Sequence, residues 1–257
     1  MPEERAELEL VDLMSYVGAL AEAPAEGSAE RGEATLRHHL GITLPRWDRL
    51  EPSGTYAHVV KPIVPVAMML LALPLALAVM LPIALINWAV MGDWRRIFFT
   101  QERVGQYGRV FRIYKFRTMR PVTAGGDFAS WQQGDQNRVT RFGRFLRSTH
   151  LDEVPQILNI LRGDMDFIGP RPEMVEIHNW ACDVVPGFER RLALRPGITG
   201  LAQITQGYAG QCPEAYADKL AADDEYRERL SFGLDVSIVA RTLVWMLRGR
   251  GWSWNKS

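Results

Sequence analysis

Between Lys61 and Asp93 the chain reads "PIVPVAMMLLALPLALAVMLPIALINWAVMG", and no residue of it carries a charge. About 20 apolar residues suffice for a helix to cross the ~30 Å hydrocarbon layer of a bilayer. This run exceeds that length and constrains the chain more than any other feature: it belongs in lipid. Both flanks are basic, with Arg46, Arg49 and Lys61 before it and Arg95, Arg96, Arg103 and Arg109 after it. Basic residues favour the cytoplasmic side, so both ends are expected there, which a hairpin satisfies and a single span does not. Pro74 and Pro82 each remove a backbone hydrogen bond from a helix. The pattern predicts a re-entrant helix–break–helix centred near Pro82, with a tilted spanning helix as the alternative.

The formal net charge is zero, but it is unevenly placed. Residues 1–33 hold nine acids against two bases. Residues 95–150 hold twelve arginines and lysines against three acids. An acidic extension therefore precedes a basic body suited to phosphates or anionic headgroups, and charge alone would also admit nucleic acid. The extension opens without a signal-peptide pattern. Leu10, Leu13, Met14, Val17 and Leu20 predict an amphipathic helix there, followed by a flexible linker. Cys182 and Cys212 form no disulfide framework or zinc motif, which fits a reducing compartment.

After the apolar run, Val110, Phe111, Ile113, Tyr114 and Phe116 predict short strands, with turns at Gly105 and Gly108. Arg138, Arg141, Arg144 and Arg147 recur every third residue among Phe142, Phe145 and Leu146, a pattern suited to an interfacial helix. The stretch "THLDEVPQILNILRGDMDFIGPRPEM" then carries the chemistry. Val154, Ile157, Leu158 and Leu161 predict a helix from Asp152 to Leu161, with Pro155 in its first turn and Gly163 near its end. Adjacent acids at a helix start usually serve as caps. A low-pKa carboxylate there can also stay ionised and bind Mg²⁺ or attack phosphorus, and the preceding arginines would supply a phosphate site. Pro170 and Pro172 stiffen the backbone around Arg171, lowering the entropy lost when its guanidinium grips a phosphate.

The motifs "FFTQERVG", "FRIYKFRTM", "LRSTHLDEVPQILNILRGDMDFIGPRPEM", "RPGITGLAQ" and "LDVSIVARTL", in this order over residues 58–248, resemble the monotopic phosphoglycosyl transferases, a bacterial sugar transferase family. The resemblance implies an enzyme on the cytoplasmic face of the bacterial inner membrane. Such an enzyme moves a phospho-sugar from a UDP-sugar to polyprenol (undecaprenyl) phosphate and releases UMP. It also implies that Asp152 is the nucleophile of a covalent phosphoglycosyl aspartate, that Glu153 is tied to Mg²⁺ or proton handling, and that both acids are metal ligands. Arg171, Lys115, Arg117 and Arg147 match basic positions around the site. The implied partners are UDP-sugar, polyprenol phosphate and an anionic bilayer, without nucleic acid, and self-association is left open.

Three departures stand out. Leu81 precedes Pro82 where the family usually has serine, His150 stands where serine is typical, and "ITQGYAGQ" replaces an Asn-Gly-Arg stretch, which bears on sugar specificity. The expected fold is α+β and mainly helical, in three parts. These are an acidic extension (1–55), a membrane hairpin (56–93), and a catalytic domain (94–257) with interfacial helices, strands near 104–117 and a helix near 232–248. Trp245, Trp252 and Trp254 with Arg248 and Arg250 are expected near the headgroups. A silent membrane scaffold and a nucleotide-sugar phosphodiesterase are the rival readings.

Overall fold

The computed structural model describes residues 47–121, 138–206 and 212–247. The expected N-terminal helix and linker, Tyr208, and the Trp252 and Trp254 tail lie outside these residues. The uncharged run forms one helix, α1 (Lys61–Met91), entered through a single π-turn at Tyr56–Val60 and closed by left-handed Gly92. Pro65, Pro74 and Pro82 all lie inside α1. The element expected as two helices on either side of Pro82 is therefore continuous, because each proline removes only its own N–H bond and leaves the turns on either side intact.

Along α1 the inward positions Lys61, Met69, Leu73, Ala76, Met80, Ile83 and Asn87 recur at helical spacing. They pack on the body over the whole helix. Met69, Leu73 and Ala76 join Phe111, Ile113, Ile157 and Ile160 in one core cluster. Val79, Met80, Ile83 and Ala84 join Phe116 and Leu146 in another. The opposite face stays bare, with Leu71 85% and Leu75 70% exposed.

Polar groups pin both ends of α1. The Lys61 ammonium donates to the Ile168 carbonyl (3.1 Å), the Tyr226 hydroxyl (2.7 Å) and Asp235 Oδ2 (2.9 Å), and lies 3.7 Å from Asp166. Tyr226 in turn donates to Asp235 Oδ1 at 2.6 Å. At the other end Asn87, fully buried, donates to the carbonyls of Ile97 (2.8 Å) and Arg117 (3.0 Å).

The body is mainly helical with two small sheets. β1 (Phe98–Val104) and β2 (Val110–Phe116) form an antiparallel hairpin with Phe99 opposite Lys115, so the strand element starts earlier than the expected residue 104. β3 (Asp166–Ile168) and β4 (Gly197–Thr199) pair in parallel. In chain order β2 and β3 are separated by α2 (Arg141–Thr149), capped by Thr140, whose hydroxyl accepts from the Gly143 N–H at 2.8 Å. Gly143 is required there because a Cβ would stand 2.1 Å from the Thr118 carbonyl oxygen. The remaining helices are α3 (Ile157–Leu161), α4 (Val175–Val184), α5 (Leu201–Gln206), α6 (Pro213–Glu228) and α7 (Phe232–Leu247).

The helix expected from Asp152 to Leu161 is shorter. Leu151–Gln156 is a 3₁₀ stretch, and α3 follows it. Pro155 has no N–H to donate back to Leu151, so the chain takes the tighter turn.

Candidate active site

Three elements bring the sequence-predicted residues together. β2 supplies Lys115, the 3₁₀ stretch after α2 supplies Asp152 and Glu153, and the loop between β3 and α4 supplies Arg171. The buried amide of Asn159 holds the first two in register. Its Nδ2 donates to the Arg112 carbonyl at 2.7 Å, and its Oδ1 accepts from the Tyr114 N–H at 3.1 Å. It thereby fills the backbone of β2 as a neighbouring strand would, and Lys115 follows directly.

Glu153 is the hub. Its Oε1 accepts from the Lys115 ammonium at 2.6 Å and from Arg171 at 3.1 Å. Neither acid caps a helix: the residue before the 3₁₀ stretch is His150, in the left-handed conformation, and no side chain bonds the freed N–H groups. The capping explanation for the dyad therefore fails. Burial would raise Glu153, but Lys115 and then Arg171 outweigh it and hold the carboxyl well below its ordinary range.

Asp152 is the opposite case. It is buried and takes no ion pair among the described residues. Burial, with the charge of Glu153 beside it, raises its pKa from 3.8 to about 6, against the pull of Lys115, Arg147 and Arg171. The expectation of a low-pKa carboxylate holds for Glu153 and not for Asp152, because the cations bond the second acid and only surround the first.

The other predicted residues divide. Arg147 lies near enough to Asp152 to act on its charge, and its Nε donates to the Thr118 hydroxyl at 2.8 Å. His150 faces Glu153, Arg171 and Lys115, and burial lowers its pKa, favouring neutral imidazole. Arg117 is not among the groups acting on either acid. It lies over the Phe99 ring, 5.7 Å from its centre, toward the end of α1.

Sequence reasoning missed the support behind Arg171. Arg191, 2% exposed, donates to the Arg171 carbonyl at 2.9 Å and to Asp223 at 2.8 Å, and lies 3.6 Å from Glu173. Lys219 donates to Glu173 at 2.5 Å. No local pattern marks this support: Arg171 turns to the dyad while Glu173, two residues on, is buried against Arg191 and Lys219.

Two adjacent carboxylates, one charged and locked, the other desolvated and more basic, with three cations around them, suit attack on a phosphoanhydride. They offer a metal a small donor set: no cluster of three or more acid, histidine or cysteine side chains occurs among the described residues. Mg²⁺ is commonly held by one or two carboxylates plus substrate phosphates, and Asp152 with Glu153 fits that mode.

Residues 56–249 match the model of a family described as bacterial sugar transferase. Over 151 residues the chain is 42% identical to a UDP-glucose:undecaprenyl-phosphate glucose-1-phosphate transferase of Caulobacter vibrioides, covering 58% of this chain and 56% of that one. Over 205 residues it is 40% identical to a UDP-N-acetylgalactosamine-undecaprenyl-phosphate N-acetylgalactosaminephosphotransferase of Aeromonas hydrophila, covering 79% and 47%. The chain thus spans about half the length of these curated relatives.

The unequal acids give opposite mutational effects on stability. Glu153→Gln leaves Lys115 and Arg171 facing a neutral amide and should cost ~3 kcal/mol, the lower end for a broken buried pair because Arg171 stays 31% exposed. Asp152→Asn removes an unpaired buried charge and should raise the unfolding temperature at pH 8. Asp152 has a folded pKa near 6 against an ordinary 3.8, so its penalty is complete above pH 6 and vanishes toward pH 4. The stability gap between Asp152→Asn and wild type should therefore close over that window in thermal melts. Difference infrared spectra of the same pair should show a carboxyl titrating near pH 6; a midpoint below 4.5 would contradict this electrostatic picture.

Proposed function

This chain belongs to the bacterial sugar transferase family, and from that premise we propose that it transfers a phospho-sugar from a UDP-sugar to undecaprenyl phosphate and releases UMP. The observation that carries the reading is the unpaired, raised-pKa carboxylate of Asp152 beside the locked Glu153. A carboxylate oxygen of Asp152 attacks the phosphorus bonded to the sugar. The bond from that phosphorus to UMP breaks, and UMP leaves with the electron pair. A phosphate oxygen of the lipid then attacks the same phosphorus, the bond to Asp152 breaks, and the carboxylate is restored. The more basic Asp152 is the better nucleophile once ionised, so turnover falls as pH drops through about 6.

Lys115 and Arg171 neutralise charge on the diphosphate, sharing Glu153 with it, and Arg147 faces the acid that reacts. Asp152 and Glu153 would hold Mg²⁺ jointly with the diphosphate; when bound, it offsets the charge of the departing UMP. The catalytic machinery argues against a silent scaffold, and dependence on the lipid acceptor separates transfer from hydrolysis.

The same reading mounts the enzyme on one face of the bacterial inner membrane, the cytoplasmic one. Its support is that Lys61 and Asn87, up to ~39 Å apart along α1, are both bonded to one body. A helix crossing ~30 Å of hydrocarbon could not keep both anchors unless the body crossed with it. The bare face of α1 then meets lipid acyl chains.

Incubation with a panel of UDP-sugars alone should add the mass of a phospho-sugar to Asp152, and Asp152→Asn should gain none. Sustained UMP release should need undecaprenyl phosphate and stop in excess EDTA. Continuous UMP release without the lipid would favour the phosphodiesterase. For the mounting, single cysteines near residues 30 and 130, in a background lacking Cys182 and Cys212, should both resist a membrane-impermeant thiol reagent in intact cells and react after lysis. Labelling of the residue 30 site alone before lysis would mean that α1 spans the bilayer.

A further inference from the structure

The loop that carries Arg171 is held by its carbonyls. Pro170 and Pro172 have no N–H to give, so the loop depends on donors from elsewhere. The Pro170 carbonyl accepts from the Gly197 N–H at 2.9 Å and the Glu173 carbonyl from the Val104 N–H at 3.0 Å. Between them the Arg171 carbonyl accepts from Arg191 at 2.9 Å, and the Pro172 carbonyl accepts from Arg103 Nη1 at 3.1 Å. The loop is thereby strung between β4 and β1, and Arg103 also faces Met174 across an isolated antiparallel bridge.

Arg103 stands apart in this set. Arg191 is buried with Asp223 and Glu173 for partners, whereas Arg103 bonds no carboxylate among the described residues. Burial, and then the charge of Arg171, lower its pKa to about 10. A guanidinium drawn out of water without an ion pair costs stability. Besides the Pro172 carbonyl its other bond is to Gln101 Oε1 at 2.6 Å, and Gln101 in turn donates to Met174 Sδ at 2.8 Å. Two side chains from one face of β1 therefore both end on the segment after Arg171.

This hold links the two cations of the site. β1 and β2 form one hairpin, and Lys115 on β2 meets Arg171 on a single oxygen, Glu153 Oε1. Lys115 reaches that oxygen from the hairpin itself, and Arg171 reaches it from a loop whose next carbonyl is bonded to the same hairpin. We infer that Arg103 is a positioning residue of the donor site: by holding the Pro172 carbonyl to β1, it fixes the Arg171 guanidinium at the spacing from Lys115 that a diphosphate needs. This rests on the transfer reaction proposed above. Arg103 bonds neither acid of the dyad, so its effect passes through Arg171. A group misplaced by about 1 Å can cost a reaction ~10²-fold, and a long side chain magnifies a small turn of the backbone beneath it.

The test is a double-mutant cycle on the binding of UDP, measured by calorimetry on the full chain in nanodiscs with Mg²⁺ present. Arg103→Met keeps most of the side chain's bulk, removes its donors and strands no buried acid. It should raise the Kd for UDP about fivefold or more, part of what a charged hydrogen bond contributes. In an Arg171→Gln background the same substitution should change that Kd less than about twofold. Gln101→Leu leaves Arg103 in place without the acceptor that aligns it, and should give a smaller rise with the same dependence on Arg171. Arg103→Lys should recover part of the loss. Should Arg103→Met fail to fold in thermal melts, Gln101→Leu and Arg103→Lys decide by the same cycle. A rise of equal size with and without Arg171, as a merely structural role would give, overturns the assignment, and so does no rise at all. Wild type that binds UDP but transfers nothing would sink the reaction and leave the cycle to decide the role of Arg103; wild type that does not bind UDP overturns both.

Discussion

The structure depends on one helix with two unlike faces, one packed on the body and one bare and apolar. α1 has no charge after Lys61, so its outward face can lie in hydrocarbon, yet its inward face packs on the body at both ends and between them. Apolar contact alone would not fix its position, since one ridge of leucine and methionine slides on another at little cost. The polar anchors remove that freedom. Lys61 shares a buried cage with Tyr226, Asp235 and the Ile168 carbonyl, and Asn87 bridges two backbone carbonyls at the foot of the hairpin. A shift of one turn along α1 would strand a buried ammonium against apolar surface, which is among the costliest errors that a fold can make.

The same anchors place the chemistry. The Asn87 end fixes the hairpin foot, the hairpin carries Lys115, and Asn159 fixes β2 against the stretch bearing the dyad. From the other side the Arg191, Asp223, Glu173 and Lys219 network holds the backbone of the Pro170–Pro172 loop, so that Arg171 reaches Glu153. Three elements far apart in the chain thus meet on a single carboxylate oxygen. Preorganisation of this kind lets charged groups meet a phosphate without reorganising first.

The dyad illustrates how much of the site was legible. Its acids, Lys115, Arg171 and Arg147 could be picked as a group from residue type and order, and the structure brings them together. Their division of labour could not. Sequence spacing put Asp152 and Glu153 in equivalent places at a helix start, and dipole reasoning made both acids easy to ionise. The left-handed turn at His150 and the 3₁₀ geometry imposed by Pro155 instead aim one acid at the cations and bury the other without a partner. Glu173, Arg191 and Asn159 were illegible for a related reason: a buried ion pair or amide clamp has no local pattern, and its partners lie tens of residues away.

Sequence by itself determined that the chain carries one uncharged apolar run long enough to cross a bilayer, that it is mainly helical with a small strand element, and that acids and cations gather around residues 149–174. Each of these follows from local composition or periodicity, which the chain carries without reference to its fold. Only the tertiary structure decided which face of α1 is covered, since every residue from Pro62 to Gly92 is uncharged and the pattern has no polar side to read. It also decided that the prolines leave α1 in one piece, that Glu153 rather than Asp152 takes the salt bridges, and that Arg117 turns to the end of α1. Those outcomes rest on burial and on contacts between distant segments, and charge placement inside a protein is set by what each group loses in water and regains from its neighbours.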